Sequence, residues 1–390
     1  METRILHAAM FTPGIGGKWG LPLILIGDPG TAKTSIIVRE AVESGLHVEV
    51  LIASLRDPTD FLGLMVAGVT KATKAKDIEG HYEGVTYIPP AWAVRAAKAK
   101  RSLVFIDEIN SAPPSVQAAL NRVTLERVVG DFELPDTVRI MAARNEVDDA
   151  SGGYELSAAL DNRFGQMHWK GPDFPAWRSY ILGGMAKTEM QAIRNAEDEE
   201  ARVSAAWDGA YASASGLVLS FLEKHISRWK ATPGSGARAS MRTWDMVIHA
   251  LAGARVHGLS DEETDTFLAS FVGEPTIVEF RSWQAAMDLP DPALLLDGQV
   301  SFQPDPDRVD RTMVVLLSCA ALVSPQTAEK RTERASALWR LLKANMGNAD
   351  ICYAPAMALA DPRVRLVRSC PEAIDVMARF APMMASAGMI

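Results

Sequence analysis

The sequence has few cysteines and no long apolar run, and each absence limits what the protein can be. Its 390 residues include three cysteines, which are too few and too far apart for a disulfide framework or a paired-cysteine metal site. We therefore expect buried, reduced thiols in a cytoplasmic protein. The longest apolar stretch, 313–323, is about half of the roughly 20 residues that cross a bilayer. The N-terminal segment 1–11 lacks the apolar core of a signal peptide.

An excess of positive charge is also absent. Lysine and arginine total 40 against 48 acidic residues, which gives a net charge of −8 and a pI near 5.5. Nucleic acid is therefore disfavoured as the main ligand, because proteins that bind it usually present a basic face. The lysines 71, 74 and 76 nevertheless keep a nucleic-acid contact as an alternative. The apolar and charged fractions, 48% and 23%, are those of an ordinary globular chain.

Four short apolar runs alternate with helix-like segments in the first part of the chain. They are 21–26, 46–53, 102–106 and 137–143. Strands that alternate with helices predict a parallel sheet that is covered on both faces. The stretch 63–88 is rich in Gly, Thr and Tyr and interrupts the alternation of strands and helices. It predicts an inserted β-hairpin. From about residue 175 the strand signals stop, and helical patterns continue to the end of the chain.

A glycine-rich segment joins the first predicted strand to a helix predicted over 34–44. It runs Gly27-Asp28-Pro29-Gly30-Thr31-Ala32-Lys33-Thr34-Ser35, the phosphate-binding pattern GxxxxGK[ST] with alanine in place of the second glycine. Backbone N–H groups of such a loop cradle polyphosphate oxygens at a helix N-terminus. In this pattern Lys33 reaches the β- and γ-phosphates, and the Thr34 hydroxyl is a ligand of Mg²⁺. We expect Ala32 to have a helical φ, with the positive φ at Gly30.

Two adjacent carboxylates end the strand predicted over 102–106. Asp107 is expected to bind Mg²⁺ through water, and Glu108 to polarise the attacking water. Successive side chains of a strand point to opposite faces, so the two acids can have separate roles. An Asp-Glu pair alone is common at solvated strand ends. Together with the upstream phosphate loop and an intervening strand, it is typical of the hydrolytic P-loop ATPases.

Two further polar residues follow later in the same region. Asn145 comes after the fourth predicted strand, where a side chain can orient the lytic water; an ordinary turn asparagine is the alternative. Arg163 stands at the end of the α/β region. An arginine that projects from a subunit edge can complete the ATP site of a neighbouring subunit, whereas most exposed arginines are only solvated.

The sequence resembles the AAA+ ATPases of the MoxR group, in the helix-2-insert clade that includes the magnesium-chelatase ATPase subunit. The resemblance covers residues 20–295, and the phosphate loop has the GxPGxAKT form that is frequent in that group. The other matching motifs are Asp107-Glu108-Ile109-Asn110, Ala112-Pro113-Pro114, Val116-Gln117, Glu126-Arg127, Leu134-Pro135, Arg144-Asn145 and Leu160-Asp161-Asn162-Arg163-Phe164, the last with an added asparagine.

This resemblance implies roles for several residues. Asn145 would be the first sensor, Arg163 an arginine finger acting in trans, and 63–88 the helix-2 insert. The segment Ser240-Met241-Arg242-Thr243-Trp244 resembles the second sensor motif, with Ser240 as a helix N-cap and Arg242 as the sensor. Arg238 is the competing candidate for that role.

The resemblance also implies an architecture and a function. The expected fold is an α/β P-loop AAA+ sandwich with a β-hairpin insert over 1–174, an all-α lid over 175–298 and a C-terminal helical extension over 299–390. The expected function is a ring-forming ATPase, a hexamer, that uses ATP and Mg²⁺ to remodel a protein partner with a von Willebrand A domain. The alternatives are an ATP-controlled assembly switch with slow hydrolysis, and a restriction or defence motor that acts on nucleic acid.

Overall fold

A computed structural model describes residues 2–71, 81–146, 154–179, 195–229, 237–287, 289–305, 307–323, 328–360 and 370–386. These residues form two compact units. The first unit comprises Met1–Glu200, Thr232–Arg238 and Leu259–Gly273, and the second comprises Ala201–Ala231, Ala239–Gly258 and Glu274–Ile390. The domain boundaries at 174 and 298 stay predictions.

A five-stranded parallel sheet is the centre of the first unit. In spatial order its strands are β2 (His47–Ile52), β5 (Ser102–Asp107), β8 (Val138–Arg144), β1 (Leu23–Ile26) and β9 (Gly165–His168). Every pair is parallel, with Ile52 opposite Asp107 and Ile26 opposite Arg144. The segments that leave the carboxyl ends of the strands therefore meet at one edge of the sheet, called here the carboxyl edge; the opposite one is the amino edge.

The central strands are apolar on both faces, which is why helices cover the sheet on both sides. All residues of β1 are buried, as are the first five of β5. The covering core includes Ile24, Ile106 and Leu120. The helices of this unit are α1 (Glu2–Met10), α2 (Lys33–Glu43), α3 (Thr59–Leu62), α4 (Ala91–Lys98), α5 (Pro114–Glu126), α6 (Ala158–Asp161), α7 (Phe174–Ser179) and α10 (Asp261–Val272).

Two hairpins are attached to this core. The antiparallel pair β3 (Leu64–Lys71) and β4 (His81–Ile88) is the insert predicted from the sequence, with Leu64 opposite Ile88. Lys74 and Lys76 lie outside the described residues. A second pair, β6 (Val128–Val129) and β7 (Phe132–Glu133), was not predicted. Its turn glycine, Gly130, packs against the base of the insert, where a Cβ atom would lie 2.8 Å from Cβ of Tyr87.

The described residues of the second unit are helical and contain no strand, as the sequence predicts. Helix α8 (Ala196–Lys224) begins in the first unit and continues in the second. The others are α9 (Met241–Val256), α11 (Glu274–Ala285), α12 (Pro292–Leu296), α13 (Val309–Val323), α14 (Ala328–Ala344), α15 (Ala349–Ala360) and α16 (Pro371–Ser386). Helices α12 to α16 share a core around the fully buried Trp339. The chain therefore has the predicted fold class, a parallel α/β sandwich with a hairpin insert and a C-terminal all-helical region.

The structure bears on two sequence-based expectations, one about membrane-spanning helices and one about the cysteines. No helix within the described ranges is long and apolar enough to cross a membrane. Cys319, Cys352 and Cys370 are free thiols, and all three are buried. Burial raises the pKa of Cys319 to about 12 and that of Cys352 to about 11. Cys319 and Cys352 are therefore structural rather than reactive.

Candidate active site

The phosphate-loop pattern forms a strained turn between β1 and α2. Gly30 has a φ of 77°, as expected, but Ala32 has a φ of 64° and is also left-handed. The expectation of a helical φ at Ala32 was therefore wrong. The left-handed region costs a residue with a side chain roughly 1–2 kcal/mol. Such strain is typical of a functional loop whose surroundings fix its shape.

Neighbouring residues hold this loop in place. Gly27 lies close to the carbonyl oxygen of Trp169. A Cβ atom added at Gly27 would overlap that oxygen, so no larger residue fits here. The Trp169 indole N–H donates to the Thr31 carbonyl at 2.7 Å, and the Thr31 hydroxyl donates to the Asp28 carbonyl at 2.8 Å. Trp169 is a residue that the sequence did not single out. It follows β9, whose sequence gives little sign of a strand.

The exposed surface of the loop consists of backbone and small side chains. Asp28, Pro29, Gly30 and Ala32 are exposed, and so is Ser35 in the first turn of α2. The loop opens directly onto the N-terminus of α2, where unpaired N–H groups and the helix dipole favour an anion. The arrangement is therefore suited to binding phosphate groups.

Lys33 lies beneath the loop and connects it to the end of β8. Its side-chain ammonium donates to the carbonyls of Gly27 and Asp28, at 2.8 and 2.7 Å, and to Oδ1 of Asn145 at 3.1 Å. The residue is 7% exposed. Burial lowers the pKa of the Lys33 amine, and the charges of Asp107, Asp28 and Glu146 oppose that shift. The structure thus brings together Lys33 and Asn145, two of the predicted residues.

Thr34 and Asp107 form a second contact at the carboxyl edge. The Thr34 hydroxyl donates to Oδ2 of Asp107 at 2.5 Å, and the other carboxylate oxygen accepts from the backbone N–H of Glu108 at 2.9 Å. A hydroxyl and a carboxylate are the hard oxygen donors that Mg²⁺ prefers. The pair therefore fits the metal role predicted for these two residues.

Glu108 turns away from Asp107 and pairs with a residue from another strand. Its φ is 53°, so the chain leaves β5 in a left-handed conformation. The exposed carboxylate accepts a hydrogen bond from the Ser54 hydroxyl at 2.6 Å. Ser54 follows β2, and the pairing of Ile52 with Asp107 places the two segments side by side. Ser54 was not predicted from the sequence. The signal that could have indicated it is a hydroxyl group shortly after the strand that neighbours the acidic strand β5.

The end of β8 is supported by Asn110. This side chain is 3% exposed, and its amide donates to the Asn145 carbonyl at 3.3 Å. The three-residue helical turn that contains Asn110 directly follows Glu108. This hydrogen bond connects the segment after β5, which contains Glu108, to the segment after β8, which contains Asn145.

The three candidate arginines occupy different places. Arg163 is half-buried and lies in the three-residue segment between α6 and β9. Arg238 belongs to the first unit and pairs with Asp161 at 3.3 Å. Arg242 belongs to the second unit, in the first turn of α9, which Ser240 caps by accepting from the Thr243 N–H at 3.2 Å. The cap is the one predicted from the sequence, and the roles of the three arginines stay predictions.

Comparisons with known proteins identify the domain that carries this site. Residues 22–164 match the family model of the AAA domain, dynein-related subfamily. Among solved structures, the chain resembles that of a "putative ATPase" from Cytophaga hutchinsonii, with 19% sequence identity, a TM-score of 0.44 and coverage of 70% of this chain and 80% of that one. The family match includes the phosphate loop, the acidic pair, Asn145 and Arg163. Residues 22–164 therefore form a domain of the AAA type, and the protein is an ATP hydrolase.

Proposed function

We propose that this ATPase is a MoxR-type motor that works as a cytoplasmic ring, expected to be a hexamer. Each ATP would be bound by one subunit and hydrolysed with an arginine from the next. The observation that carries the proposal is the convergence of Lys33, Asn145 and the Thr34–Asp107 pair at the carboxyl edge. Arg163 lies two residues before β9, the outermost strand on that side of the sheet, a position suited to reaching a neighbouring subunit.

Each residue then has a defined task in phosphoryl transfer. Lys33 binds the β- and γ-phosphate oxygens, which compete with the backbone carbonyls for its ammonium group. Glu108 accepts a proton from the attacking water, and Asn145 orients that water. Arg163 of the neighbouring subunit stabilises the charge that develops on the transferred phosphoryl group. Arg242, or Arg238 in its place, would be the second sensor and contact the γ-phosphate.

The Thr34 hydroxyl and the Asp107 carboxylate, through water, would hold Mg²⁺. Their oxygen atoms lie 2.5 Å apart in a hydrogen bond, so two hard oxygen donors of the kind that Mg²⁺ prefers stand at one place. When bound, Mg²⁺ neutralises part of the negative charge on the phosphates. Glu108 is separated from this pair by its own bond to Ser54, so the acidic residues do not compete for the ion.

The proposed client is a protein with a von Willebrand A domain. Its support is a resemblance to the lid end of MoxR-like proteins encoded beside such partners, and the matching segments are Val272-Gly273-Glu274, Glu279-Phe280 and Asp288-Leu-Pro-Asp-Pro292. The base of the β3–β4 insert also exposes Leu64, Met65, Val85 and Ile88, an apolar surface of the kind that contacts partners. Purified candidate partner should raise ATP turnover by this protein, and Met65→Ser should reduce that stimulation while leaving basal turnover unchanged.

An ATP-controlled assembly switch with slow hydrolysis is a second candidate. The Ser54–Glu108 hydrogen bond favours it, because a carboxylate bound to a hydroxyl is a poorer base for water. Steady-state turnover by the assembled ring separates the two proposals. A motor turns over within the range usual for enzymes, about 1 s⁻¹ or faster, whereas a switch hydrolyses its ATP much more slowly than that.

The first test of the ring is native mass spectrometry of the Glu108→Gln variant without nucleotide, with ADP, and with ATP plus Mg²⁺. This variant should bind ATP without hydrolysing it, so an ATP-dependent six-membered species is expected. A monomer under all three conditions would contradict the interfacial site.

The second test is turnover by Arg163→Ala in a ring that still assembles. Loss of an arginine finger lowers turnover by about 10³ to 10⁵, or roughly 4–7 kcal/mol. Arg39→Ala is the matched control, because Arg39 is exposed and pairs with Glu43 on its own helix; its turnover should stay near that of the wild type. A loss below about tenfold for Arg163→Ala would exclude the role.

A further inference from the structure

A buried carboxylate lies two residues before Arg163. Asp161 is 6% exposed; its Oδ1 accepts a hydrogen bond from the Gln166 amide at 2.6 Å, and its Oδ2 one from Arg238 at 3.3 Å. Gln166 is itself 7% exposed and is the second residue of β9. The bond between Asp161 and Gln166 therefore closes a short loop of chain that contains Arg163.

The other contact of Gln166 fixes the orientation of its amide. Oε1 of Gln166 accepts a hydrogen bond from the Arg144 guanidinium at 3.1 Å. A guanidinium can only donate, so the amide oxygen must face Arg144 and the amide NH₂ must face Asp161. A flipped amide would break both bonds. Because Arg144 directly precedes Asn145, these bonds connect the strand that carries Asn145 to the turn that carries Arg163.

Backbone bonds and apolar anchors shape the turn itself. The N–H of Arg163 donates to the Leu160 carbonyl at 3.1 Å, and that of Phe164 to the Asp161 carbonyl at 3.3 Å. Leu160 and Phe164 are buried in the core on either side of the half-buried Arg163. These features fold the turn locally. The Asp161 side chain is what ties it to β9 and to the segment that contains Arg238.

Stability alone does not explain a carboxylate in this place. Taking a charge out of water is unfavourable, and apolar residues of similar volume often stabilise a buried position at least as well as an ion pair. A carboxylate held by two directional donors instead fixes orientation, which packing does less strictly. The loop of chain that the Asp161–Gln166 bond closes has Arg163 in its middle.

We propose that Asp161, held by Gln166 and Arg238, is a positioning residue that fixes Arg163 in the orientation needed to act on the ATP of the neighbouring subunit. This inference rests on the proposed function, since it requires Arg163 to act in trans. Asp161 contacts no reacting atom in this scheme. Its influence is exerted through the turn that it shares with Arg163.

The first measurement is steady-state ATP turnover by the Asp161→Asn ring. Asparagine keeps the size of the side chain but loses the charge and turns an NH₂ group toward the Arg238 donors. We expect kcat to fall about 10- to 100-fold, as for a misplaced catalytic group, while KM for ATP stays within about twofold because the subunit's own phosphate loop is untouched. The matched control is Asp136→Asn, an exposed residue before β8, with unchanged kcat.

The deciding measurement mixes two kinds of subunit. Glu108→Gln subunits cannot hydrolyse ATP but keep an intact Arg163, and Asp161→Asn subunits have an intact Glu108. If Asp161 acts through Arg163 in trans, equal mixing restores activity at about one quarter of the interfaces. At these interfaces an Asp161→Asn subunit provides Glu108 and a Glu108→Gln subunit provides the correctly placed Arg163. A role confined to the subunit's own site or fold gives no recovery.

A control pair separates failure of this inference from failure of the ring proposal. Arg163→Ala subunits mixed with Glu108→Gln subunits must also recover activity if the finger acts in trans. Recovery in both mixtures supports the inference, and recovery in the control pair alone overturns it while the ring proposal stands. No recovery in the control pair overturns the ring proposal and this inference with it.

A second variant keeps the test decisive if Asp161→Asn does not fold. Gln166→Met has a similar length and no hydrogen-bonding group, so it removes the donor from Asp161 while leaving the carboxylate in place. It should lower kcat in the same direction and recover activity when mixed with Glu108→Gln subunits. An assembled Gln166→Met ring with unchanged kcat would contradict the proposed positioning.

Discussion

The two edges of the central sheet each contain a buried cation, and they hold it in different ways. At the carboxyl edge, Lys33 donates to two carbonyls and to the amide oxygen of Asn145, all neutral acceptors. At the amino edge, Arg139 donates to the Met10 and Thr137 carbonyls, at 3.0 and 2.6 Å, and to the Glu200 carboxylate at 2.5 Å. Its guanidinium also lies 5.0 Å from the ring centre of Phe11.

The difference separates a ligand-binding cation from a structural one. Burial lowers the pKa of both side chains, but at Arg139 the Glu200 carboxylate opposes the shift by a direct hydrogen bond. The charge of Arg139 is neutralised within the fold, so that no external anion is needed. A phosphate can outcompete the neutral acceptors of Lys33, because a charged acceptor forms the stronger bond. At the carboxyl edge, Lys33 can thus exchange its neutral acceptors for a phosphate group. At the amino edge, Arg139 keeps its contacts within the fold.

Glu200→Ala is expected to have the largest effect on this comparison. It removes the carboxylate that pairs with the fully buried Arg139 and also accepts from Arg101 at 2.8 Å. Leaving a buried charge without its partner costs roughly 3–5 kcal/mol. Urea unfolding followed by tryptophan fluorescence should show this loss in the transition of the first unit.

Glu197→Ala is the matched control for Glu200→Ala. Glu197 stands on the same helical turn, is 70% exposed at its side chain and lies 3.4 Å from Arg101. An exposed pair of this kind contributes about 0–1 kcal/mol. Equal losses in the two variants would show that the amino edge is not held together by the buried pair.

Ser54→Ala is expected to have the next largest effect, at the carboxyl edge. The change frees the Glu108 carboxylate from the 2.6 Å bond that holds it near β2. Turnover should rise by up to about tenfold, or roughly 1.4 kcal/mol, because the base no longer has to break this bond before accepting a proton. KM for ATP should not change. Ser54→Thr retains the hydroxyl and should behave as the wild type, and slower turnover by Ser54→Ala would mean that the bond positions Glu108 productively.

Features that could be predicted from the sequence are those with a local signal. The four predicted strands are apolar runs bounded by turns or acids, and the phosphate loop and Asp107-Glu108 are contiguous patterns. Strand β9 reads Gly165-Gln-Met-His168 and has no apolar run. Its conformation comes from pairing with β1, a contact between segments more than a hundred residues apart, so no local pattern could indicate it.

The site shows the same limit. The pattern gives the residue types of the phosphate loop but not their dihedral angles, and so the left-handed conformation of Ala32 was not foreseen. Ser54 and Trp169 reach the site from strands β2 and β9, and Asp161 meets Gln166 only after the turn at Arg163 has formed. The contacts of Ser54 and Trp169 depend on strand order in the sheet, and that of Asp161 depends on the shape of the turn; motif spacing contains neither.

Ala32→Gly tests the strain at the carboxyl edge and is expected to have a smaller effect. Glycine removes the roughly 1–2 kcal/mol by which the left-handed conformation destabilises the folded state. It also makes folding less favourable by about 0.5–1 kcal/mol, because glycine has more conformational entropy to lose from the unfolded state. The first unit should therefore become more stable by about 0.5–1 kcal/mol. Ala97→Gly, within helix α4, is the control and should lower stability by about 1 kcal/mol. If both substitutions destabilise equally, the Ala32 backbone is not strained.

The pH dependence of ATP binding is the smallest expected effect and sharpens the comparison most directly. Because burial lowers the pKa of Lys33, the amine loses its proton at a lower pH than a free lysine does, and a neutral amine does not attract phosphate. The dissociation constant for ATP should therefore rise as the pH is raised toward about 10, the pKa of a free lysine. The same lowered pKa affects the free energy of unfolding in the opposite direction to ATP binding. The unfolded chain binds more protons in this range, so stability without ATP should increase with pH.

Lys33→Arg separates this titration from other effects of alkaline pH. A guanidinium stays protonated throughout this range, so ATP affinity should be weaker overall but nearly independent of pH. The measurement is a calorimetric titration of ATP in the Glu108→Gln background, where hydrolysis does not interfere. Parallel pH profiles with and without the Lys33→Arg substitution would mean that another group titrates. In that case the two edges would differ only in the groups that accept hydrogen bonds from the buried cation. These are neutral oxygens for Lys33, whereas Arg139 also has the Glu200 carboxylate.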